Sequence, residues 1–451
     1  MRGQTVRNMF PHFFRKACII VHTIALACMI IMIGAGLSAS AAATNQTIAK
    51  SARIGGDKSR TRLIVDLSNK VPFRYFTLAD HYRVVIDMPN VRFRLPTGVG
   101  RKGRGLIEAF RYGLYAPGQS RIVIDVKGPV LVDKAFVLPS ENGQPSRLVV
   151  DLVPTDRQSY LAKMRDSRKD RIRASKKSSQ ARKAAQAKAA PPVSRQSVHK
   201  KTQLPLVILD PGHGGIDSGA IGVSGTNEKK IVLQFSKLLR KELLRRGRLR
   251  VKMSRTNDIF VPLPERVRFA RSHEADLFVS IHADSIAKRR AKGVRGATIY
   301  TLSEKASDLE AETLAEKENR SDIIAGVELP PPTNKVSEIL IDLAQRETKN
   351  YSVVFANMLV DELKGSALVK RDPIRFANFR VLKAPDVPSV LLELGYLSSQ
   401  ADAKLLKSSK WRKKVAAAIA KAIEGYFKGR TQGQLPMLLD KNFGKLSARG
   451  K

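Results

Sequence analysis

The stretch LVILDPGHGGIDSGA, residues 206–220, decides how the rest of the chain is read. Its first four residues, Leu206 to Leu209, are apolar or β-branched, the pattern of a short buried strand. Asp210, Pro211 and Gly212 end that strand, because proline has no N–H for a ladder and glycine permits a sharp turn. His213 therefore falls just past a strand end, flanked by Gly212, Gly214 and Gly215, where no bulky neighbour shields its imidazole. Ligands of open α/β sheets gather outside the carboxyl ends of the strands. Taken alone, the segment is either such a site or a glycine-rich turn with an incidental histidine.

Three further segments bear on the choice. Asn227-Glu228-Lys229 opens a helical pattern, so Glu228 occupies a first turn. Residues 277–281 form a second buried strand, which delivers His282 in the run SIHAD. Residues 390–392 form a third, which delivers Glu393 in LLELGY. Two histidines and two glutamates thus stand at the ends of regular elements. Two imidazoles with one carboxylate make an open zinc site, and a second carboxylate can take the proton of a water held there. Each residue also has a plain explanation. A first-turn glutamate favours the helix dipole, and a strand-end histidine can be hydrogen-bonded structure. A buried, unpaired Glu393 is harder to explain that way, since such a carboxylate is costly. His273 is the one rival ligand, and its neighbour Glu274 favours a surface position.

The four motifs GHGGIDSGA, NEKK, SIHAD and LLELGY, in this order, resemble those of the zinc-dependent N-acetylmuramoyl-L-alanine amidases of the amidase-3 type. The resemblance covers residues 205–428. It implies that His213, Glu228 and His282 hold Zn2+, that Glu393 is the catalytic acid–base, and that peptidoglycan is the substrate. Asp284 in SIHAD and Ser399 in YLSS stand where the family frequently has asparagine, which leaves neighbouring hydrogen bonds open.

Around this segment, residues 229–246 and 263–270 have helical spacing, and residues 251–254 and 296–302 read as strands. Alternating strands and helices predict an α/β domain over 205–428, a mostly parallel sheet flanked by helices. Residues 379–382 and 389–392 read as its last strands and residues 411–427 as its closing helix. Residues 308–326 and 335–364 are long helical patterns separated by Leu329 and three prolines. The first resembles the regulatory insert of a subgroup of these amidases, here about 306–345, whose helix covers the active site until an activator protein displaces it. A carboxylate from Glu310, Glu312, Glu316 or Glu318 would then face the zinc. The alternative is a solvated amphipathic helix.

Toward the amino end, a short pattern recurs at residues 62–66, 83–87, 121–125 and 147–151: arginine, three apolar residues, aspartate. With turn signals such as Pro117-Gly118 and Asn142-Gly143 between the repeats, residues 50–154 are predicted to be a small all-β sandwich of two similar halves. This resembles the AMIN domain, whose family role is targeting to peptidoglycan. The Arg and Asp of each repeat also read simply as ion pairs at strand ends.

The chain has 451 residues and a formal charge of +41, with 43% apolar content, enough for two packed cores. Such a charge seeks polyanions. Residues 1–43 carry a basic start, a long apolar run and small residues, the pattern of an export signal peptide or an uncleaved membrane anchor. Periplasmic residence follows, with membrane contact only through that segment. Export and 6% aromatic content argue against a nucleic-acid partner. Both cysteines, Cys18 and Cys28, lie in this segment, so a processed chain has no disulfide and no thiolate ligand. Residues 155–204 hold 15 Lys and Arg against 3 Asp and read as a flexible linker, either a solvated spacer or an electrostatic grip. Residues 429–451 are a basic tail. The competing functions are a non-catalytic wall-binding protein and a zinc peptidase acting on the stem peptide.

Overall fold

The computed structural model describes residues 46–79, 81–96, 98–165, 204–223, 225–285, 294–327 and 338–432. The segment read as signal or anchor, the linker from 166 to 203, residues 328–337 of the insert and the tail from 433 onward lie outside the described residues. No helix among the described residues is long and apolar enough to cross a membrane.

The β domain has two antiparallel-rich sheets. One runs β5 (Val91–Phe93), β1 (Thr47–Gly56), β2 (Thr61–Leu67), β9 (Ser146–Pro154), β8 (Val130–Leu138). The other runs β3 (Arg74–Leu78), β4 (Arg83–Pro89), β7 (Gln119–Val126), β6 (Ile107–Ala116). The four repeats fall on β2, β4, β7 and β9 and pair in twos. Arg62 lies opposite Asp151 and Asp66 opposite Arg147 in the first sheet; Arg83 lies opposite Asp125 and Asp87 opposite Arg121 in the second. Alternation sends Leu63, Val65, Val84, Ile86, Ile122, Ile124, Leu148 and Val150 into the core between the sheets. The middle residues of two triplets, Val85 and Val123, are buried on the opposite face of the second sheet. The unbroken apolar triplets of β4 and β7 thus reflect strands covered on both sides.

The α/β domain is built on a six-stranded sheet ordered β11 (Arg250–Met253), β10 (Leu206–Pro211), β12 (Leu277–His282), β15 (Ser389–Glu393), β13 (Ala297–Leu302), β14 (Val369–Ala377). All neighbours are parallel except β13 with β15. Helices α1 (Glu228–Arg246), α5 (Glu338–Lys364) and α7 (Ser409–Thr431) cover one face, with Phe235, Leu239, Phe355, Leu359, Ile419 and Ile423 in the core. Helices α2 (Leu263–Ser272) and α3 (Leu309–Asn319) cover the other with Leu263, Ala270, Ala311 and Leu314. Every residue of β10, β12 and β15 is buried, which is why these strands read as continuous apolar runs.

Four elements differ from the sequence reading. Residues 157–165, expected as the start of a flexible linker, are helical, and Tyr160 is fully buried with its hydroxyl donating to the Leu78 carbonyl at 2.7 Å. The strand expected at 379–382 lies earlier, at β14, and residues 380–382 form a single 3-10 turn. β14 is an edge strand, so it tolerates Lys370, Arg371 and Asp372 and lacks the apolar signature of an inner strand. A helix before the closing one, α6 (Gln400–Lys407), is capped by the Ser399 hydroxyl accepting from the Asp402 amide. The long helix expected over 308–326 breaks at Arg320 into α3 and a short α4 (Ser321–Ile324).

The loop after β10 is fixed by a buried arginine. Arg266 of α2, only 2% exposed, donates to the Asp210 carboxylate at 2.8 Å and to the carbonyls of Pro211 and His213, each at 2.8 Å. Asp210 is fully buried and takes further bonds from Ser254 and Ser280. Removing one partner of such a pair strands the other charge. Arg266→Ala is expected to cost about 3–5 kcal/mol, read as a lower denaturation midpoint with unchanged m-value.

Candidate metal centre

His213, Glu228, His282 and Glu393 converge at the carboxyl edge of the sheet. His213 follows β10, His282 ends β12 and Glu393 ends β15 directly opposite His282 in register. Glu228 is the first residue of α1 and is fully buried. His213 adopts a left-handed backbone, φ 59°, a strained choice for a side chain with a Cβ. Gly212 beside it is required by space: a Cβ there would lie 2.4 Å from the His282 ring.

The ligand-type atoms of His213, Glu228 and His282 all lie within 4.8 Å of one another and could hold a metal ion. His213 Nε2 faces Glu228 Oε2 at 3.1 Å, and His282 Nδ1 faces Glu228 Oε1 at 3.2 Å. The two rings meet edge to face with centroids 4.8 Å apart. His213 Nδ1 lies 2.9 Å from Asp217 Oδ2. A proton donated there leaves the Nε2 lone pair aimed at the centre. Each Glu228 oxygen also accepts a backbone N–H, from Ala220 at 2.8 Å and Ala283 at 2.9 Å, which holds the carboxylate in place. His213 Nε2 is buried and makes no hydrogen bond despite its carboxylate neighbour. A buried imidazole nitrogen left without a hydrogen bond against a carboxylate fits a cation, and the His–Glu–His donor set fits zinc.

Glu393 Oε2 accepts from the Asp284 amide at 2.9 Å, whereas its Oε1 is buried without a hydrogen-bond partner. Burial first, then the carboxylates of Asp284, Glu228 and Glu318, push its carboxyl well above the ordinary range.

Of the four glutamates named from the sequence, Glu318 is the one that lies beside the histidines. Its Oε2 lies 3.4 Å from His213 Nε2 and 3.5 Å from His282 Nδ1. Glu310 is instead paired with Lys370 and Arg375. Lys317, next to Glu318, pairs with Asp284 in the loop after β12. The Ser321 hydroxyl donates to Asp217 Oδ2 at 2.5 Å. A cavity of about 10 Å³, room for one water, lies beside the two histidines and is also lined by Asp210, Arg266, Glu318 and Ser321. Asp217 and Ser321 were missed by sequence reasoning, although Asp217 stands four residues after His213 in the same loop. His273 points away and bonds the Phe269 carbonyl at 2.8 Å.

An open sheet with a buried His–Glu–His group at its carboxyl edge is the frame of a metal-assisted hydrolase. The family profile described as N-acetylmuramoyl-L-alanine amidase matches residues 207–425, and that of the AMIN domain matches residues 51–152. The chain is 33% identical over 400 residues to the N-acetylmuramoyl-L-alanine amidase AmiC of Escherichia coli, spanning 86% of this chain and 91% of that protein. It is 33% identical over 384 residues to AmiC of Neisseria meningitidis, spanning 83% and 89%. Among solved structures it aligns with the N-acetylmuramoyl-L-alanine amidase AmiC2 of Nostoc punctiforme at 28% identity and a TM-score of 0.36, over 50% of this chain and 97% of that one. The chain belongs to the N-acetylmuramoyl-L-alanine amidase family and carries an AMIN domain.

Proposed function

We propose that this protein is an exported zinc hydrolase that cuts the amide bond between N-acetylmuramic acid and L-alanine in peptidoglycan, in the periplasm, during septal wall splitting and daughter-cell separation. The observation that carries the reading is the buried His213–Glu228–His282 group with Glu393 beside it. In this reading His213 Nε2, His282 Nδ1 and one Glu228 carboxylate hold the ion. Bound there, zinc supplies a Lewis acid for the amide carbonyl and for water. Asp217 holds the His213 ring and fixes its tautomer. Glu393 Oε1 takes the proton of the attacking water and returns it to the leaving alanine nitrogen, a role suited to a carboxyl raised by burial. The products are peptide-free glycan and a stem peptide that starts with alanine. Residues 1–43 serve export, the β domain delivers the enzyme to the wall, and the linker tethers the two domains. Hydrolysis of purified wall sacculi with and without a chelator tests the assignment, with mass spectrometry of the released peptides. Chelator-insensitive release, or peptides cut at another bond, would refute it.

The insert acts as a brake in this reading. Glu318 sits against both histidines, in the way of an incoming amide, until an activator protein draws the insert away. Glu318→Ala is expected to raise basal hydrolysis about tenfold, the factor set by ~1.4 kcal/mol of preference for the closed state. An unchanged rate in a variant with full zinc content would remove the brake from the scheme.

A further inference from the structure

The geometry points to the outer face of the β domain's second sheet as the surface that holds the insert closed: the β domain is a latch on the segment after Glu318. This inference rests on the reading of the insert as a brake.

The contact is specific. Arg121 of β7 donates from one guanidinium nitrogen to the carbonyls of Ala325 at 3.1 Å and Gly326 at 2.9 Å. Its other nitrogens are clamped by Asp87 at 2.6 and 2.9 Å, and the guanidinium stacks 3.6 Å from the Tyr115 ring centroid. Arg83 of β4 donates to the Ile323 carbonyl, and Arg320 meets the His81 ring at 2.9 Å. Four groups of residues 320–326 are therefore held by the β domain, three of them carbonyls in and just after α4, where cationic donors are favoured. Between the arginines, Ala325 is fully buried among Phe76, Leu78, Val85 and Val123. Gly326 has φ 67°, and a Cβ on it would come within 3.0 Å of Val85 and 3.1 Å of Val123, so the backbone itself lies on the sheet.

The other end of the segment reaches the metal centre. Ser321 bonds Asp217, which holds His213, and Asp322 accepts the Leu263 amide at 2.9 Å. Glu318 stands three residues before Ser321. Freeing residues 320–327 from the sheet would remove the anchor on the carboxyl side of Glu318.

The repeat supplies an internal comparison. Arg62 and Asp151 of the first sheet occupy the same repeat positions as Arg121 and Asp87, but the Arg62 side chain is 48% exposed against 6% for Arg121. An Arg–Asp pair on the outer face of a sheet therefore forms without any insert beside it. What distinguishes the second sheet is that its pair has been turned to grip another segment.

The test uses the full chain. In Arg121→Ala, amide hydrogen exchange across residues 309–327 should accelerate about tenfold, in metal-free and zinc-loaded protein alike, and basal hydrolysis of sacculi should rise by a similar factor, as expected for loss of paired charge-assisted hydrogen bonds. Arg62→Ala should change neither. Exchange within β2, β4, β7 and β9 reports whether the sandwich is intact; if Arg121→Ala loses it, Arg83→Ala provides the same comparison. Unaltered exchange over 309–327 in a folded variant overturns the latch. If Glu318→Ala stimulates hydrolysis while Arg121→Ala leaves exchange and rate alone, the brake stands and the latch falls. If exchange accelerates but neither substitution alters the rate, the sheet is upheld as the holder of the segment and the brake reading fails.

Discussion

His213→Ala should leave a folded protein that no longer retains zinc and hydrolyses sacculi at least about a thousand-fold more slowly, the loss expected when several kcal/mol of Lewis-acid stabilisation vanish. The fold should survive because His213 contributes no apolar packing and its loop is secured independently, by Arg266 and Arg255 on the carbonyls of Pro211 and Gly212. Alanine at the left-handed φ of this position bears strain of about 1 kcal/mol, close to that of the histidine it replaces. The substitution leaves Asp217 without its imidazole and Glu228 without one of its two ring partners, so the remaining carboxylate and His282 make an incomplete set. Elemental analysis of purified protein is the direct measurement. Stoichiometric zinc in His213→Ala would show that the ion is held elsewhere, and the whole assignment of the site would go with it.

Glu393→Gln separates holding from chemistry. The amide keeps the shape of the side chain, and its oxygen can still accept the Asp284 N–H that now binds Oε2 at 2.9 Å. It also removes a buried carboxyl crowded by Asp284, Glu228 and Glu318, so stability should not fall. What it cannot do is take a proton. Turnover is expected to drop about 10²- to 10⁴-fold with zinc content unchanged. Hydrolysis near the parental rate would place the base on another residue; loss of zinc would mean that Glu393 belongs to the holding set.

The α/β frame was legible because its inner strands are buried on both faces. β10, β12 and β15 carry no charged or titratable residue until they reach Asp210, His282 and Glu393 at or next to their ends, with only Ser280 and Ser389 polar before that. The change from apolar run to His or Glu is itself the mark of the carboxyl edge. Glu228 was visible only through the helix it opens and the motif around it. β14 escaped because an edge strand need not be apolar, and the 3-10 turn at 380–382 looked like a strand because Val381 and Leu382 are buried all the same. The choice of Glu318 among the insert's acids could not be read from spacing, since it depends on where α3 ends and α4 turns away. The grip of Arg121 on Ala325 had no local signal either: its partners are 204 positions apart, and the repeat to which Arg121 belongs reads the same whether it faces solvent or a neighbour.

The order of strands in the six-stranded sheet bears on when the enzyme comes into being. His213, Glu228 and His282 are complete by the end of β12, but the slot between β12 and β13 is filled by β15, which comes more than a hundred residues later and brings Glu393. On the proposed mechanism, a chain that emerges amino end first therefore possesses the groups that would hold zinc well before the group that would shuttle a proton. Catalytic competence would then wait for one of the final threads to be drawn into the middle of the weave, and an unfinished or clipped polypeptide lacking that thread would leave its polymer uncut.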